Sequence, residues 1–443
     1  QRTGRFLDEQ ADMNQSIFSD DFKPESYWWD RTPRPDPLDA SLPDQADVVI
    51  VGSGYTGLNA GLVTARGGLS TVAVDTEQPG WGCSSRNGGQ VSGEVKPSYT
   101  ALARLYGSAQ AYAIIAEARN ALGWIGDFID NEDIDCDYRR CGRFHAAHSA
   151  RQYAAQKQEF THQVNGLERD GHLVDKAQIE SEIDSPFYHG GLVISQHASL
   201  DPARYHQGLY ERALASGCRV IDSCRVEHIV RDADGFRLNT TKGPIRAGKV
   251  IVATSGYTGL ATPWHQRRII PIGSYMLATE MLEPDLAHSL IPNDRVVSDT
   301  RKLVVYYRLS PDGRRILFGG RVSHKETDPV LSAGPLRLEM LRIFPQLADS
   351  KITHSWMGFV GYTFDNLPHL GEDDGLFYAM GYCGSGICLA SYFGHRLGQQ
   401  VLGIAEATIA MNGLSFQTRP FYRGNPWFLG PAIRYYQIRD RVN

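Results

Sequence analysis

Residues 46–51, Ala-Asp-Val-Val-Ile-Val, form a short and almost wholly apolar run, the pattern of a strand buried on both faces. A glycine-rich stretch follows, then an Ala, Leu and Gly-rich segment of helical character from Leu58 to Gly67, then Thr71-Val72-Ala73-Val74-Asp75 as a second strand. Strand, turn, helix, strand is a compact βαβ unit. From Tyr99 to Ile134 the periodicity becomes helical, with Leu102, Leu105, Ala109, Tyr112 and Ala116 spaced three and four apart for one buried face. A second helix is predicted over Arg151–Arg169. Asp201-Pro202-Ala203-Arg204 reads as a helix start, with Asp201 as N-cap and proline in the first turn, where its missing N–H costs nothing.

Short strands return at Arg219–Asp222, Arg225–Arg231, Phe236–Thr240 and Lys249–Ala253. The region Ile269–Gly320 is β-rich, and Tyr306 to Phe318 reads as a hairpin turning at Pro311-Asp312-Gly313. A helix is predicted near Pro335–Ile343, and the last signal is a strand at Leu376–Met380, a glycine turn at Gly381–Gly386 and a helix to about Gly403. Residues 1–45 are polar, with Pro33, Pro35, Pro37 and Pro43 breaking regular elements, yet Tyr27-Trp28-Trp29 is too apolar to hang in water. This is an arm pinned to the body by its aromatics. No internal repeat or low-complexity segment is present.

Composition narrows the classes. With 443 residues, of which 42% are hydrophobic, the chain exceeds the size at which single cores split, so two domains are expected. The 45 basic and 50 acidic side chains leave a net charge of −5, which gives no global field toward nucleic acid or an anionic membrane. A small polar or charged metabolite is the expected partner, and the oligomeric state is left open. The cysteines Cys83, Cys136, Cys141, Cys218, Cys224, Cys383 and Cys388 are odd in number, scattered, and without CxxC spacing; reduced thiols in the cytoplasm and no metal site are expected. No signal pattern and no run of membrane-spanning length stands out, so the chain reads as soluble.

Gly52-Ser53-Gly54-Tyr55-Thr56-Gly57 fits the GxGxxG pattern at a strand exit and helix start. The first glycine permits the tight turn, the second lets the backbone approach a pyrophosphate, and the third lets helix and strand pack closely. Three spaced glycines can arise by chance. The second strand removes most of that doubt, because it ends in Asp75 where an acid accepts hydrogen bonds from ribose hydroxyls, with Thr76 beside it. The motif alone does not separate NAD from FAD. The loop Gly80-Trp81-Gly82-Cys83-Ser84-Ser85-Arg86-Asn87-Gly88-Gly89-Gln90 argues for FAD, since it offers hydroxyls, an arginine and small residues to a second stretch of an extended cofactor, although composition by itself also fits an ordinary polar loop.

Asp47 to Leu58, the Ser85–Gln90 run, Ile134-Asp-Cys-Asp-Tyr-Arg139, the pattern Trp356-x-Gly358, Thr363-x-Asp365, Pro368-His-Leu-Gly371, and the closing Tyr435-Tyr436-x-x-Arg439-Asp440-Arg441 together resemble the flavin amine oxidases of the D-amino-acid/glycine oxidase superfamily. Within it they resemble the bacterial gamma-glutamylputrescine oxidases. The likeness runs from about Tyr27 to the C-terminus, and its motifs are specific jointly. It implies an α/β fold with mixed α+β character: a Rossmann-like FAD domain from separated segments (46–98, 195–265 and 355–410), an antiparallel-sheet substrate domain (99–194 and 266–354) roofing the flavin, an N-terminal arm (1–45) and a tail (411–443) packed on the body. It places Val226 beside the adenine, Ala253, Thr254, Ser255, Gly256 and Tyr257 close to the cofactor, and Ser85, Arg86, Asn87, Gly88 and Gly89 along the ribityl chain and flavin, with Gly82, Cys83, Ser84 and Gln90 also at the cofactor. Gly361 and Gly384-Ser385-Gly386-Ile387 fall at the flavin, whose carbonyl edge a helix N-terminus would face. Many members carry Gly-His-Gly where this chain has Gly384-Ser385-Gly386, so no histidine-dependent step is carried over. Relatives that attach FAD covalently use a cysteine near the Trp356–Asp365 segment, and the nearest in sequence is Cys383; non-covalent FAD is expected.

The reaction implied is oxidation of a C–N bond by hydride transfer to the flavin, giving an imine that water hydrolyses, with O2 reduced to H2O2; the substrate would be a secondary or substituted primary amine, an N-alkyl or gamma-glutamyl-amide compound. A dehydrogenase passing electrons to a quinone or carrier, and a non-catalytic FAD-binding subunit, are the competing readings. Such chemistry asks of the protein orientation and electrostatics rather than a catalytic triad. Tyr306 and Arg308 share a strand face, and Arg308 is the candidate carboxylate clamp; a surface arginine on a tyrosine-rich strand is the bland alternative. His354, Trp356 and His369 are further candidates, each weighed against a core role. Tyr55 and Tyr382 adjoin cofactor turns.

Overall fold

The structure, a computed structural model, describes residues 17–36, 40–320 and 328–442. The chain folds around two sheets. In the first, Gln45–Val51 lies parallel to Thr71–Val74, with the helix Tyr55–Arg66 crossing between them. Val48, Val49 and Ile50 are wholly buried, as a strand covered on both faces must be. This sheet runs Val226–Asp232, Gly235–Thr240, Gly243–Val252, Gln45–Val51, Thr71–Val74, Arg219–Ile221, and Leu376–Met380 adds to it in parallel beside Gly243–Val252. Segments some 300 residues apart in the chain thus meet at one sheet edge, where their C-terminal turns share a space.

The second sheet has nine strands, in the order Phe18–Lys23, Ile352–Tyr362, Ile270–Thr279, Ile316–Gly320, Tyr306–Leu309, Val296–Asp299, Arg143–Ala146, Gly190–Ile194, Gly171–Asp175. It is antiparallel except at two pairs, Phe18–Lys23 with Ile352–Tyr362 and Val296–Asp299 with Arg143–Ala146. A Rossmann-like sheet and a largely antiparallel one make the mixed α/β fold that the sequence implies. The strand Ile352–Tyr362, grouped in sequence with the cofactor segments, runs in the second sheet and carries the chain back toward the first.

Local differences have local causes. The expected helix from Tyr99 to Ile134 is two, Tyr99–Tyr106 and Ser108–Asn131, because Gly107 sits at φ +84 and ψ 161, which no helix contains. That break resets the phase, so Leu105, Ala109 and Tyr112 are exposed, while Ala111, Ile114, Ala118, Ala121 and Ile125 form the buried face. The helix predicted to Arg169 stops at Thr161. The helix predicted from Pro335 starts at Pro329, capped by the Asp328 carboxylate on the Val330 N–H, with Pro335 inside it. Asp201 caps its helix as expected, accepting from the Ala203 and Arg204 N–H groups. The arm carries a strand, Phe18–Lys23, and a short helix, Tyr27–Arg31, on either side of Pro24 and upstream of Pro33 and Pro35; Pro37 and residues 1–16 lie outside the described residues.

Candidate active site

The glycine turn leaves the strand at Val51 with Gly52 at φ +109, a conformation a side chain resists. A Cβ on Gly57 would stand 1.9 Å from the Gly52 carbonyl oxygen, so only glycine lets the helix pack this close to its own turn. Gly54 offers the helix no side-chain cap; the Tyr55 N–H donates to Ser84 Oγ at 3.1 Å, and the N–H groups that follow it in the first turn are left to an anion. Asp75 Oδ2 accepts from the Ser53 N–H and hydroxyl, both at 2.7 Å, and Oδ1 takes the Glu77 N–H at 3.2 Å with acceptor capacity to spare. Burial raises the Asp75 pKa, opposed by the Ser53 hydrogen bonds. A second helix, Gly386–Val401, also starts without a side-chain cap, behind Cys383 at φ +53 and Gly384 at φ +106, and the Ser385 hydroxyl is turned away to donate to the Glu94 carbonyl at 2.7 Å. Two uncapped helix N-termini therefore face one cavity.

That cavity is ≈ 790 Å³, in the range of roughly 300–1,000 Å³ typical of ligand sites. Of the residues assigned to the cofactor from sequence, Gly52, Gly54, Tyr55, Thr56, Asp75, Thr76, Gly82, Cys83, Ser84, Asn87, Gly88, Gln90, Val226, Ala253, Thr254, Gly256, Tyr257, Gly361, Gly384, Ser385, Gly386 and Ile387 line it. Gly57, Ser85, Arg86 and Gly89 do not; they stand behind the wall. Tyr55 and Tyr382 line the cavity too, the latter hydrogen-bonded through its hydroxyl to Thr56 Oγ1 at 2.6 Å.

At the end where Gly88 and Gly384 lie, the same cavity is also lined by Glu94, Lys96, Arg143, His145, Arg169, Ser274, Ser298, Asp299, Tyr306 and Tyr362. Tyr306 lies over Gly319 and Gly88, with its hydroxyl 2.8 Å from Ser274 Oγ. Glu94 faces Arg169 at 3.0 Å; burial opposes its ionisation, but Arg169 and then the histidine and arginine around it overcome this and hold the carboxyl down at about 2. Burial, reinforced by Arg143, pushes His145 down to about 4, so it is neutral at pH 7, its Nδ1 3.1 Å from Ser298 Oγ. Among the described residues Arg143 Nε is buried without a hydrogen-bond partner. Apart from Tyr306, sequence reasoning missed this end. A usable signal existed in Arg143-Phe144-His145-Ala146, where polar and fully buried apolar residues alternate along one strand. Arg169 gave none, since it reaches Glu94 from a loop.

Arg308, expected as the carboxylate clamp, does not line the cavity. It is 2% exposed and donates to the carbonyls of Leu309 (3.0 Å), Gly89 (3.1 Å) and Leu200 (2.9 Å), so it braces the loop beneath Tyr306. Strand alternation put both side chains on one face; the depth of burial separates them. His354 is held between Asp30 and Thr353, each at 3.0 Å, and Trp356 donates its indole N–H to the Arg86 carbonyl at 2.8 Å; neither lines the cavity. His369 is buried against Asp365 and stacked on Phe416. One proximity was invisible in sequence: Cys83 Sγ donates to the Phe359 carbonyl at 2.7 Å, which sets a thiol against the Trp356–Asp365 segment from a distant part of the chain.

The family model described as FAD dependent oxidoreductase (DAO) matches residues 47–400. The chain belongs to the DAO family. This DAO-family chain is 31% identical over 401 residues to the gamma-glutamylputrescine oxidoreductase of Escherichia coli K12, covering 89% of this chain and 93% of that one. It is 29% identical over 426 residues to the probable oxidoreductase OrdL of Rhizobium meliloti, covering 94% and 97%. Among solved structures, glycine oxidase from Geobacillus kaustophilus superposes with a TM-score of 0.70 at 20% identity, over 85% of this chain and 99% of that one. L-proline dehydrogenase from P. horikoshii gives 0.66 at 15%, over 88% and 99%. These two establish the fold. The protein is thus an FAD-dependent oxidoreductase, and the residues present fit an FAD: uncapped helix N-termini suit its pyrophosphate and flavin edge, and Asp75 retains acceptor capacity for a ribose. No helix among the described residues is long and apolar enough to cross a membrane.

Proposed function

We propose that the protein oxidises the C–N bond of a carboxylated secondary or substituted primary amine, with FAD held non-covalently and O2 as electron acceptor. The observation that carries this reading is the single cavity in which a cationic wall, Lys96, Arg143 and Arg169, stands beside the cofactor turns, Lys96 within 4 Å of a Cβ at Gly384. Bound FAD supplies the hydride acceptor, and the imine so formed is hydrolysed to a carbonyl compound and an amine. The protein's part is orientation. Glu94 offsets Arg169, so Arg143 and Lys96 remain to hold a carboxylate, with Arg143 able to offer two parallel N–H groups. Tyr306 and Tyr362 wall the same end. Positive charge here also disfavours an ammonium and favours the neutral amine that C–N oxidation requires.

Similarity to a gamma-glutamylputrescine oxidoreductase supports an amine whose other end is amino-acid-like. Non-covalent attachment is supported by thiol chemistry. Burial raises the Cys83 pKa and pushes Cys383 up to about 11, so neither is a ready thiolate. Anaerobic titration of the flavoprotein with N-carboxyalkyl amines, gamma-glutamyl amides and plain polyamines tests the reading. Bleaching by the carboxylated compounds is expected. If no amine bleaches the flavin the oxidase reading fails, and if only polyamines do, the anionic-substrate clause fails.

A further inference from the structure

Three indole N–H groups hold three consecutive residues of the loop that lines the cofactor end of the cavity. Trp29 Nε1 donates to Ser85 Oγ at 2.9 Å, Trp356 Nε1 to the Arg86 carbonyl at 2.8 Å, and Trp28 Nε1 to the Asn87 carbonyl at 2.8 Å. Two of the three come from the arm, upstream of the residues that match the family model. The front of the same loop, at Cys83, Ser84, Asn87 and Gly88, faces the cavity. Its back belongs to the arm.

Ser85 Oγ is the hub. It accepts from Trp29 and from Arg34 Nη1 at 3.2 Å, and donates to the Gly80 carbonyl at 2.6 Å, which uses both acceptor sites and the donor of a hydroxyl. Around it the cations and rings alternate: Arg34 lies 5.5 Å from the Trp29 ring, Arg86 5.7 Å from the same ring, and Arg86 4.3 Å from the Trp81 ring. Among the described residues Arg34 Nε and Nη2 are buried without a hydrogen-bond partner, while its Nη1 is given to Ser85. The arm is in turn anchored to the body through Arg31, which meets Asp201 at 3.1 Å and Asp137 at 2.9 Å, and through Asp30 on His354.

We propose that the arm segment Tyr27–Arg34 is a cofactor-retention element, in which Trp28, Trp29 and Arg34 are positioning residues that hold Ser85–Asn87 in the conformation FAD binds. This rests on the FAD reading of the cavity. Coupling of this kind is reciprocal: the docked arm slows FAD release, and bound FAD slows undocking of the arm.

The holoprotein tests it. Trp29→Phe and Arg34→Met are compared with the native chain and with Trp124→Phe, a ring replaced on a helix away from the loop, by following FAD release as recovered flavin fluorescence on dilution and the unfolding midpoint at saturating FAD. A lost indole hydrogen bond corresponds to about a 2- to 10-fold change in affinity. Release is expected to quicken by about that factor in Trp29→Phe and Arg34→Met but not in Trp124→Phe, with midpoints at saturating FAD close to native. FAD should also protect the arm from limited proteolysis in the native chain more than in Trp29→Phe. Unchanged release with a lowered midpoint would make the arm a structural brace and overturn the proposal. A native preparation carrying no flavin would instead sink the cofactor reading itself.

Discussion

The guanidinium of Arg308 donates to three backbone carbonyls away from the cavity, and that of Arg143 lines it; each keeps one buried nitrogen without a hydrogen-bond partner among the described residues. Two arginines in one sheet therefore answer substitution differently. Arg308→Met strands buried acceptors and is expected to destabilise the fold by about 2–4 kcal/mol, lowering the denaturant midpoint while the Michaelis constant for a carboxylated amine holds. Arg143→Met is expected to raise that Michaelis constant by roughly 10- to 100-fold, about 1.4–2.7 kcal/mol, with the midpoint near native. Steady-state kinetics and urea titration on both variants check this, and a Michaelis constant indifferent to Arg143→Met would remove that residue from the substrate wall. Sequence favoured Arg308 because its strand alternation was readable; what it could not show was how deep each guanidinium lies.

At the scale of the element, the glycine turn and its helix were legible because each glycine has a local backbone reason, visible in spacing alone. Gly57→Ala brings a methyl to 1.9 Å from the Gly52 oxygen, and backbone on both sides cannot give cheaply. It is expected to cost about 2–3 kcal/mol of stability or more and to abolish FAD retention, read as absence of flavin absorbance in the purified variant. The helix Tyr99–Ile134 was misread for a converse reason. One residue, Gly107, interrupts a periodicity that composition sustains on both sides, and the phase of the buried face follows the break and not the count. Likewise Thr161 ends a helix whose sequence continues to look helical, and the loop so released carries Arg169 to Glu94.

For the whole molecule, burial of histidines sets the response to acid. Burial first, with nearby arginines second where present, lowers His145 and His395 to about 4 and His197, His206 and His265 to about 3. Between the unfolded value near 6.5 and these folded values the unfolded chain binds more protons, so stability falls as pH falls through that window, by at most about 1.4 kcal/mol per pH unit for each histidine. Glu94, held at about 2, adds a loss of the same sign between about 4.5 and 2. Asp75, Asp201 and Asp299, raised by burial, act in the opposite sense, chiefly nearer their own range. The urea midpoint is accordingly expected to drop from about pH 7 to about pH 5; a flat or rising midpoint would contradict the buried, neutral histidines.

The sequence by itself determined the dinucleotide unit, because it depends on residues close together in the chain, a turn, its glycines and an acid one strand on, and the family, because several such local motifs recur together along the chain. Tertiary structure alone decided which charges line the cavity beside the cofactor turns, that Cys83 meets Phe359, and that the arm's indoles grip the loop from behind. These depend on contacts between segments tens to hundreds of residues apart, and on burial depth, which no period in the sequence encodes.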